Sequence, residues 1–288
     1  MTATAATTPS FPSPRASDDR LPTPTLTATP TPPPASTPTS AAETADTPSL
    51  AGQVALITGG SRGLGAAIAQ VLGEAGMRVV LADLDVERAR NRAAVLAEFD
   101  IQAMPMALDV ADARQCEQAV ADTVRELGRL DVLINNAAID VTAPLSELSV
   151  EDWHRVLATN LSGPLLMAKF ASARMFGQPR GGHIVNIAST ASKRAWPNAS
   201  AYHATKWGLL GLSHALHAEL RDRNVRVSAI VAGGMKTPFL LDRFPDIDEA
   251  TLQDPINVAR AVRWVLTQPA GTVVPEVTVL PMRESSWP

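Results

Sequence analysis

The apolar run Val54-Ala55-Leu56-Ile57 leads through Thr58 straight into Gly59-Gly60-Ser61-Arg62-Gly63-Leu64-Gly65, and a helical pattern of apolar residues follows from Ala66. Few folds accept that order. A short, nearly continuous apolar run suits a strand buried on both faces, as in a parallel sheet. The glycines allow a tight turn and let the backbone come close to a ligand. A helix that starts on such a turn aims free N–H groups and the positive end of its dipole at the same place, which suits phosphate. Glycines alone serve many turns, but strand, turn and helix start together predict a dinucleotide site.

The rest of the chain repeats the pattern. Further apolar runs at 78–82, 102–107, 132–135, 183–188, 226–231 and 273–280 alternate with helical spacing at 64–75, 86–98 and 112–127. Alternating strand and helix units imply a parallel sheet covered on both faces, and right-handed crossovers make it doubly wound. The expected fold class is α/β, a single Rossmann-type domain. Its seven-stranded parallel sheet should run in the order 3-2-1-4-5-6-7, with the site at the carboxyl ends of the strands.

Composition breaks near Leu50. Residues 1–48 are mostly Thr, Pro, Ala and Ser, too poor in bulky apolar side chains to offset the entropy of ordering. They are expected to form a disordered tail before a catalytic domain at 49–288. The alternatives are a misassigned start and a transit peptide, against which Asp18, Asp19, Glu43 and Asp46 count. A net charge of -4 argues against a nucleic-acid partner. No apolar stretch reaches the ~18 residues of a membrane span. The single cysteine, Cys116, excludes an intramolecular disulfide and fits a reducing compartment. A cytoplasmic protein with no nucleic-acid partner and no membrane span is expected.

Tyr202 is the only tyrosine, and Lys206 follows it by four positions. On a helix the two share a face. An ammonium beside a phenol favours the phenolate and lowers the tyrosine pKa from ~10, which makes the phenol a usable general acid or base. Ser189 ends a predicted strand thirteen residues earlier. The histidines suggest no metal: His214 and His217 lack an acidic or thiol partner at ligand spacing, His183 opens a strand, and His154 and His203 read as helix surface.

With Thr-Gly-x-x-x-Gly-x-Gly at 58–65 and Tyr-x-x-x-Lys at 202–206, the chain resembles the short-chain dehydrogenase/reductase family, ordinary-length type, through essentially all of residues 50–288. The resemblance implies Tyr202 as proton donor and acceptor and Ser189 as the hydroxyl that orients the substrate carbonyl. It implies Lys206 as a holder of the nicotinamide ribose and Asn160 as the anchor of a water in a proton relay. It places Gly59, Ser61, Arg62, Gly63, Leu64 and Gly65 around the pyrophosphate, and Asp109 with Val110 near the adenine. Asn136 and Ala137, in Asn135-Asn136-Ala137-Ala138, would line the cofactor. Gly233, Met235 and Thr237 would meet the carboxamide end, where Ala232 replaces the usual proline and loosens the loop.

Asp83 follows the second strand about 20 residues past the glycines, where a carboxylate accepts from ribose hydroxyls and repels a 2′-phosphate. NAD is therefore the expected cofactor, with NADP the alternative because Arg62 pulls the other way; Asp85 reads as plain loop. The expected reaction is hydride transfer between this nicotinamide and a small carbonyl or alcohol. A short lid at about 238–254 carries Phe239, Leu240, Leu241 and Phe244 and suggests an apolar cover, with Trp196 a further candidate for the pocket wall. The C-terminus lacks the Gly-Gly ending of many acyl-carrier-protein reductases. The alternatives are a dinucleotide-sensing binding protein on the same fold and a nucleotide-sugar epimerase or dehydratase. The resemblance also implies a homotetramer or homodimer, formed through helices at 150–176 and 201–221 that are rich in small residues.

Overall fold

Every apolar run becomes a strand: β1 Val54–Thr58, β2 Arg78–Asp83, β3 Ala103–Ala107, β4 Val132–Asn135, β5 Gly182–Ser189, β6 Val225–Ala232 and β7 Glu276–Val279. The structure is a computed structural model that describes residues 48–284, so the expected tail lies outside the described residues except for Pro48. All pairings are parallel, in the order β3-β2-β1-β4-β5-β6-β7. The chain reverses its direction of travel across the sheet between β1 and β4, and that switch point opens the crevice described below. The last run is shorter than expected. Pro275 and Pro281 flank it, and a proline has no N–H to give a ladder.

Helices α1 Gly63–Glu74, α2 Val86–Ala97, α3 Ala113–Leu127, α4 Val150–Leu157, α5 Gly163–Met175, α6 Ser200–Leu220, α7 Pro238–Leu241 and α8 Pro255–Leu266 cover the sheet. Successive strand residues point to opposite faces. Ala55 and Ile57 thus pack on Ile68 and Leu72 of α1 and Val258 and Val262 of α8. Val54 and Leu56 share the other layer with Val120, Met167 and Met175. Asp85 is more than plain loop, because its carboxylate caps α2 by accepting from Arg88 N at 2.9 Å. Among the described residues, no helix is long and apolar enough to cross a membrane.

The single helix expected at 150–176 is broken. A π-helical turn, Ala158–Ser162, separates α4 from α5. Pro164 lies four residues after Asn160 and has no N–H for the Asn160 carbonyl, so the regular ladder cannot continue there. The small residues on this stretch divide between core and surface, Ala173 being exposed. Gly163, Ala168 and Ala171 are buried in the chain's own core and are not available to a second copy. On α6, Ala204, Gly211, Ala215 and Ala218 are exposed.

Candidate active site

The glycine turn is held in its shape from both sides. Gly59 and Gly63 have φ of +63° and +55°, a region that disfavours side chains. A Cβ on Gly65 would lie 2.0 Å from Gly59 O. Thr58 Oγ1 accepts from Asn136 N and Ala137 N, both at 3.0 Å, and Asn136 Nδ2 donates to Thr58 O at 2.9 Å and Gly59 O at 3.0 Å. The turn after β4 therefore braces the turn after β1. Arg62, at the N-cap of α1, makes no side-chain capping bond, and the first turn carries no acidic residue. The helix start keeps its N–H groups and dipole for a ligand.

Asp83 is clamped to this turn. Its Oδ2 accepts from Ser61 Oγ at 2.6 Å and Ser61 N at 3.2 Å, and its Oδ1 accepts from Asp85 N at 3.1 Å. Arg62 pairs with Asp242 of the lid at 3.6 Å, with both side chains more than half exposed. Arg88, which sequence reasoning did not weigh, lines the same crevice and pairs with Asp85 at 2.9 Å.

At the other end, Ser189 closes β5 and Tyr202 and Lys206 stand on one face of α6. Ser192 fixes the Ser189 backbone, accepting from Ser189 N at 3.2 Å and donating to Ser189 O at 2.7 Å. Lys206 Nζ donates to Ile187 O at 2.8 Å and lies 5.5 Å from the Tyr202 ring centre. Asn160 is buried in the π-turn. Its Oδ1 accepts from Ile139 N at 2.8 Å, and its Nδ2 donates to Ile139 O at 2.7 Å and Thr205 Oγ1 at 3.2 Å. Its side chain thus ties the turn after β4 to α6 between Tyr202 and Lys206.

The expected lowering of the Tyr202 pKa is not found in this arrangement. Burial dominates and pushes it up to about 12, and Asp140 adds to the rise; a hydrogen bond from Ser189 and the charge of Arg243 oppose it. Burial likewise pulls Lys206 down to about 8. Because Tyr202 is the only tyrosine, tyrosinate absorbance of the ligand-free protein reports it alone. The absorbance is expected to stay low through pH 10, where an exposed tyrosine is half ionised, and to rise only as pH approaches 12. Between pH 10 and 12 the folded chain keeps a proton that the unfolded chain has lost. That contribution to stability is present below pH 10 and is lost as pH rises through 12. A midpoint near neutral pH would mean that the ammonium outweighs burial.

His203, read as helix surface, is instead buried behind the site. Its Nδ1 meets Ala191 O at 3.0 Å and its Nε2 accepts from Trp196 N at 3.1 Å, with the Trp196 ring edge-on at 4.3 Å. It positions the loop that puts Trp196 into the cavity wall. The alternation of apolar and polar residues on α6 carried no sign of this, since both partners come from the loop before the helix. Among the described residues no cluster suits a metal ion.

One cavity of about 800 Å³ joins the two ends. It is lined by Gly59, Arg62, Gly63, Leu64, Asp83, Val110, Asn136, Ala137, Ser189, Tyr202, Lys206, Gly233, Met235 and Thr237. Ser61, Gly65, Asp109 and Asn160 do not line it. Ser61, Gly65 and Asn160 act from behind, as described. Asp109 turns its carboxylate to Ala111 N at 2.9 Å. The loosening expected from Ala232 is countered: Ala232 is a buried part of β6, Gly233 N donates to Val279 O at 2.9 Å, and Gly234 N donates to Glu284 Oε2 at 2.9 Å.

The lid leaves and re-enters the body at one place, where Lys236 N donates to Gln253 O at 2.9 Å and Gln253 N to Gly234 O at 3.1 Å. It contributes Phe239, Leu240, Phe244, Ile247 and Leu252 to the cavity, whereas Leu241, also expected there, does not line it. It also carries Arg243, which forms an ion pair with Asp140 beyond β4. Sequence reasoning missed both charges.

Known proteins of one family are similar to this chain. The family model for short chain dehydrogenase matches residues 53–248. D-threitol dehydrogenase of Mycolicibacterium smegmatis is 42% identical over 181 residues, spanning 63% of this chain and 69% of its own length. The 3-oxoacyl-[acyl-carrier-protein] reductase of Synechocystis sp. is 34% identical over 234 residues, spanning 78% and 94%. The crystal structure of a metagenomic short-chain oxidoreductase in complex with NADP superimposes with a TM-score of 0.72 at 34% identity, covering 82% of this chain and 99% of that one.

Proposed function

The chain belongs to the short-chain dehydrogenase/reductase family and is an oxidoreductase, and on that premise we propose that it transfers hydride between NAD and a small alcohol or carbonyl substrate. The observation that carries this reading is the meeting of Ser189, Tyr202 and Lys206 with the glycine turn in one cavity. A catalytic set held intact by Ser192, Asn160 and Ile187 favours turnover over a role in sensing alone.

The residues fit a dinucleotide. Positive-φ glycines and an uncapped helix start would hold a pyrophosphate, the clamped Asp83 would accept from a ribose hydroxyl, and Thr237 with the Met235 backbone would suit a carboxamide. When bound, the nicotinamide supplies or accepts the hydride. The chain's own residues do the rest. Ser189 orients the substrate oxygen, and Tyr202 gives that oxygen a proton in reduction or takes it in oxidation. Lys206 has three N–H donors and gives one to Ile187 O. The others remain for a ribose hydroxyl, and its charge favours the phenolate when oxidation needs it.

NAD is proposed because the Asp83 carboxylate is fixed in place and a 2′-phosphate ~4 Å away would be repelled by about 4 kcal/mol at an effective dielectric of 20. An exposed arginine such as Arg62 returns only ~0–1 kcal/mol. The competing reading, NADP, draws on Arg62 and Arg88 in the cavity wall. The expected result is a kcat/KM ratio favouring NAD by at least about tenfold, or ~1.4 kcal/mol. Asp83→Ser should remove most of it, and Arg62→Ala should change NAD use little. A wild-type preference for NADP, or unchanged selectivity in Asp83→Ser, would reject the assignment.

A further inference from the structure

The lid is tied to the rest of the chain at few places. Its neck is closed by the backbone bonds of Gln253 with Gly234 and Lys236, and Gln253 Nε2 also donates to Val279 O at 3.1 Å. Beyond the neck, every residue from Pro238 to Thr251 is at least partly exposed. Among the described residues, two ion pairs join this stretch to the body beyond the neck. They are made by neighbours of opposite charge, and they reach different sides of the cavity. Asp242 pairs with Arg62 of the glycine turn, and Arg243 pairs with Asp140 after β4. The two are not equal. Arg62 and Asp242 are 52% and 66% exposed, so water and salt screen them and the pair contributes little. Arg243 and Asp140 are only 23% and 7% exposed. Arg243 is also held from its own side: its Nε donates to Phe239 O at 2.8 Å, and its guanidinium lies 4.2 Å from the Phe239 ring centre and 5.5 Å from that of Phe244. Asp140 is anchored through its neighbour, since Asn160 holds Ile139 at both N–H and C=O. A fixed cation on the lid meets a fixed anion on the body.

A stretch that buries so little of itself opens at low cost. Its closed position then depends on the polar contacts that cross to the body, and the less exposed pair is the stronger of these. We propose that the Arg243–Asp140 pair is a latch that holds the lid over the Tyr202 and Lys206 end of the cavity, and that its opening sets how fast a dinucleotide enters and leaves. Asp140 and Arg243 are then positioning residues, acting through the place of the lid. The proposal goes beyond the hydride-transfer reading above and rests only on its dinucleotide part. A latch and a direct ligand contact leave different traces. A group that holds the dinucleotide itself slows only departure, so losing it raises the off-rate and Kd together. A latch between two of the chain's own side chains hinders passage both ways, so losing it raises both rates and leaves Kd nearly unchanged.

The test is stopped-flow fluorescence on the full chain with NADH and NADPH as probes, reading binding on mixing and release on displacement by excess oxidised cofactor. The proteins are wild type, Asp140→Asn, Arg243→Gln, the two combined, and Arg243→Lys. In Asp140→Asn and Arg243→Gln both rates are expected to rise by about tenfold or more, equal to ~1.4 kcal/mol, because a charge stranded in a largely buried place costs more than that. Kd should stay near wild type. The combined variant should be no faster than either single one, since each breaks the same contact. Arg243→Lys keeps the charge and should recover much of the slow exchange; it also serves as the second variant should the others melt far below wild type. Hydrogen exchange at residues 238–251 should quicken in the variants that lose the pair. Unchanged rates would overturn the proposal and leave the lid to its neck and its apolar contacts. A faster off-rate with an unchanged on-rate and a weaker Kd would overturn it and make these residues ligand contacts. Additive effects in the combined variant would show that the two act separately, not as a latch. Binding of neither nicotinamide by wild type would reject the dinucleotide reading itself, and the latch with it.

Discussion

Tyr202→Phe is expected to lose about 10²–10⁴-fold in turnover, the usual contribution of a general acid–base group, while dinucleotide binding persists. The substitution keeps the ring that packs on Phe239 and lies near the Lys206 ammonium. It removes only the hydroxyl, so neither the α6 packing nor the Lys206 bond to Ile187 O is disturbed. The loss should therefore fall on kcat at saturating cofactor, as expected when an interaction made in the transition state is removed. Single-turnover rates and a fluorescence titration of the reduced nicotinamide separate the two effects. A variant that keeps more than about a tenth of the wild-type rate would show that another group moves the proton.

Gly65→Ala should act in the opposite way, on binding. The new Cβ would stand 2.0 Å from Gly59 O and 2.8 Å from Asn136 Nδ2. The first is backbone, and the second is held by Thr58 O and Gly59 O. Neither can give way without opening the turn that the two strand ends share. Dinucleotide affinity is expected to fall by about a hundredfold or more, equal to ~2.7 kcal/mol, with a lower melting temperature. Gly211→Ala is the control. It lies on an exposed part of α6 with nothing within 4 Å of a Cβ, and alanine in a helix interior is better than glycine by roughly 0.5–1 kcal/mol. It should melt at or above wild type and bind normally. Calorimetric titration of both variants with NAD and NADP decides the matter, and near-normal affinity in Gly65→Ala would mean that the turn is more yielding than its contacts imply.

Much of the fold was legible because it is written in short-range periodicity. Seven apolar runs of strand length, with helical spacing between them, lead to the sheet order through general rules of handedness and connection. The helix at 150–176 was misread because a π-turn depends on one missing donor, at Pro164, inside an otherwise continuous pattern. His203 was misread because its partners are a carbonyl and an N–H outside its own helix. The amphipathic pattern of a helix says nothing about them.

What the sequence by itself determined is local: the glycine turn between β1 and α1, the carboxylate at the end of β2, and Tyr202 four residues before Lys206. Each depends on spacing within one turn or one strand-to-helix junction, which backbone geometry converts directly into position. What only the tertiary structure decided is long-range. Thr58 meets Asn136 across 78 residues, Asn160 meets Thr205 across 45, and Arg243 meets Asp140 across 103. Burial, which raises the Tyr202 pKa against the hydrogen bond from Ser189 and the charge of Arg243, is likewise a sum over many elements. No periodicity encodes such contacts. They follow from sheet register and from where a lid lands, and a buried charge acquires its meaning only when the distant group that faces it is in place.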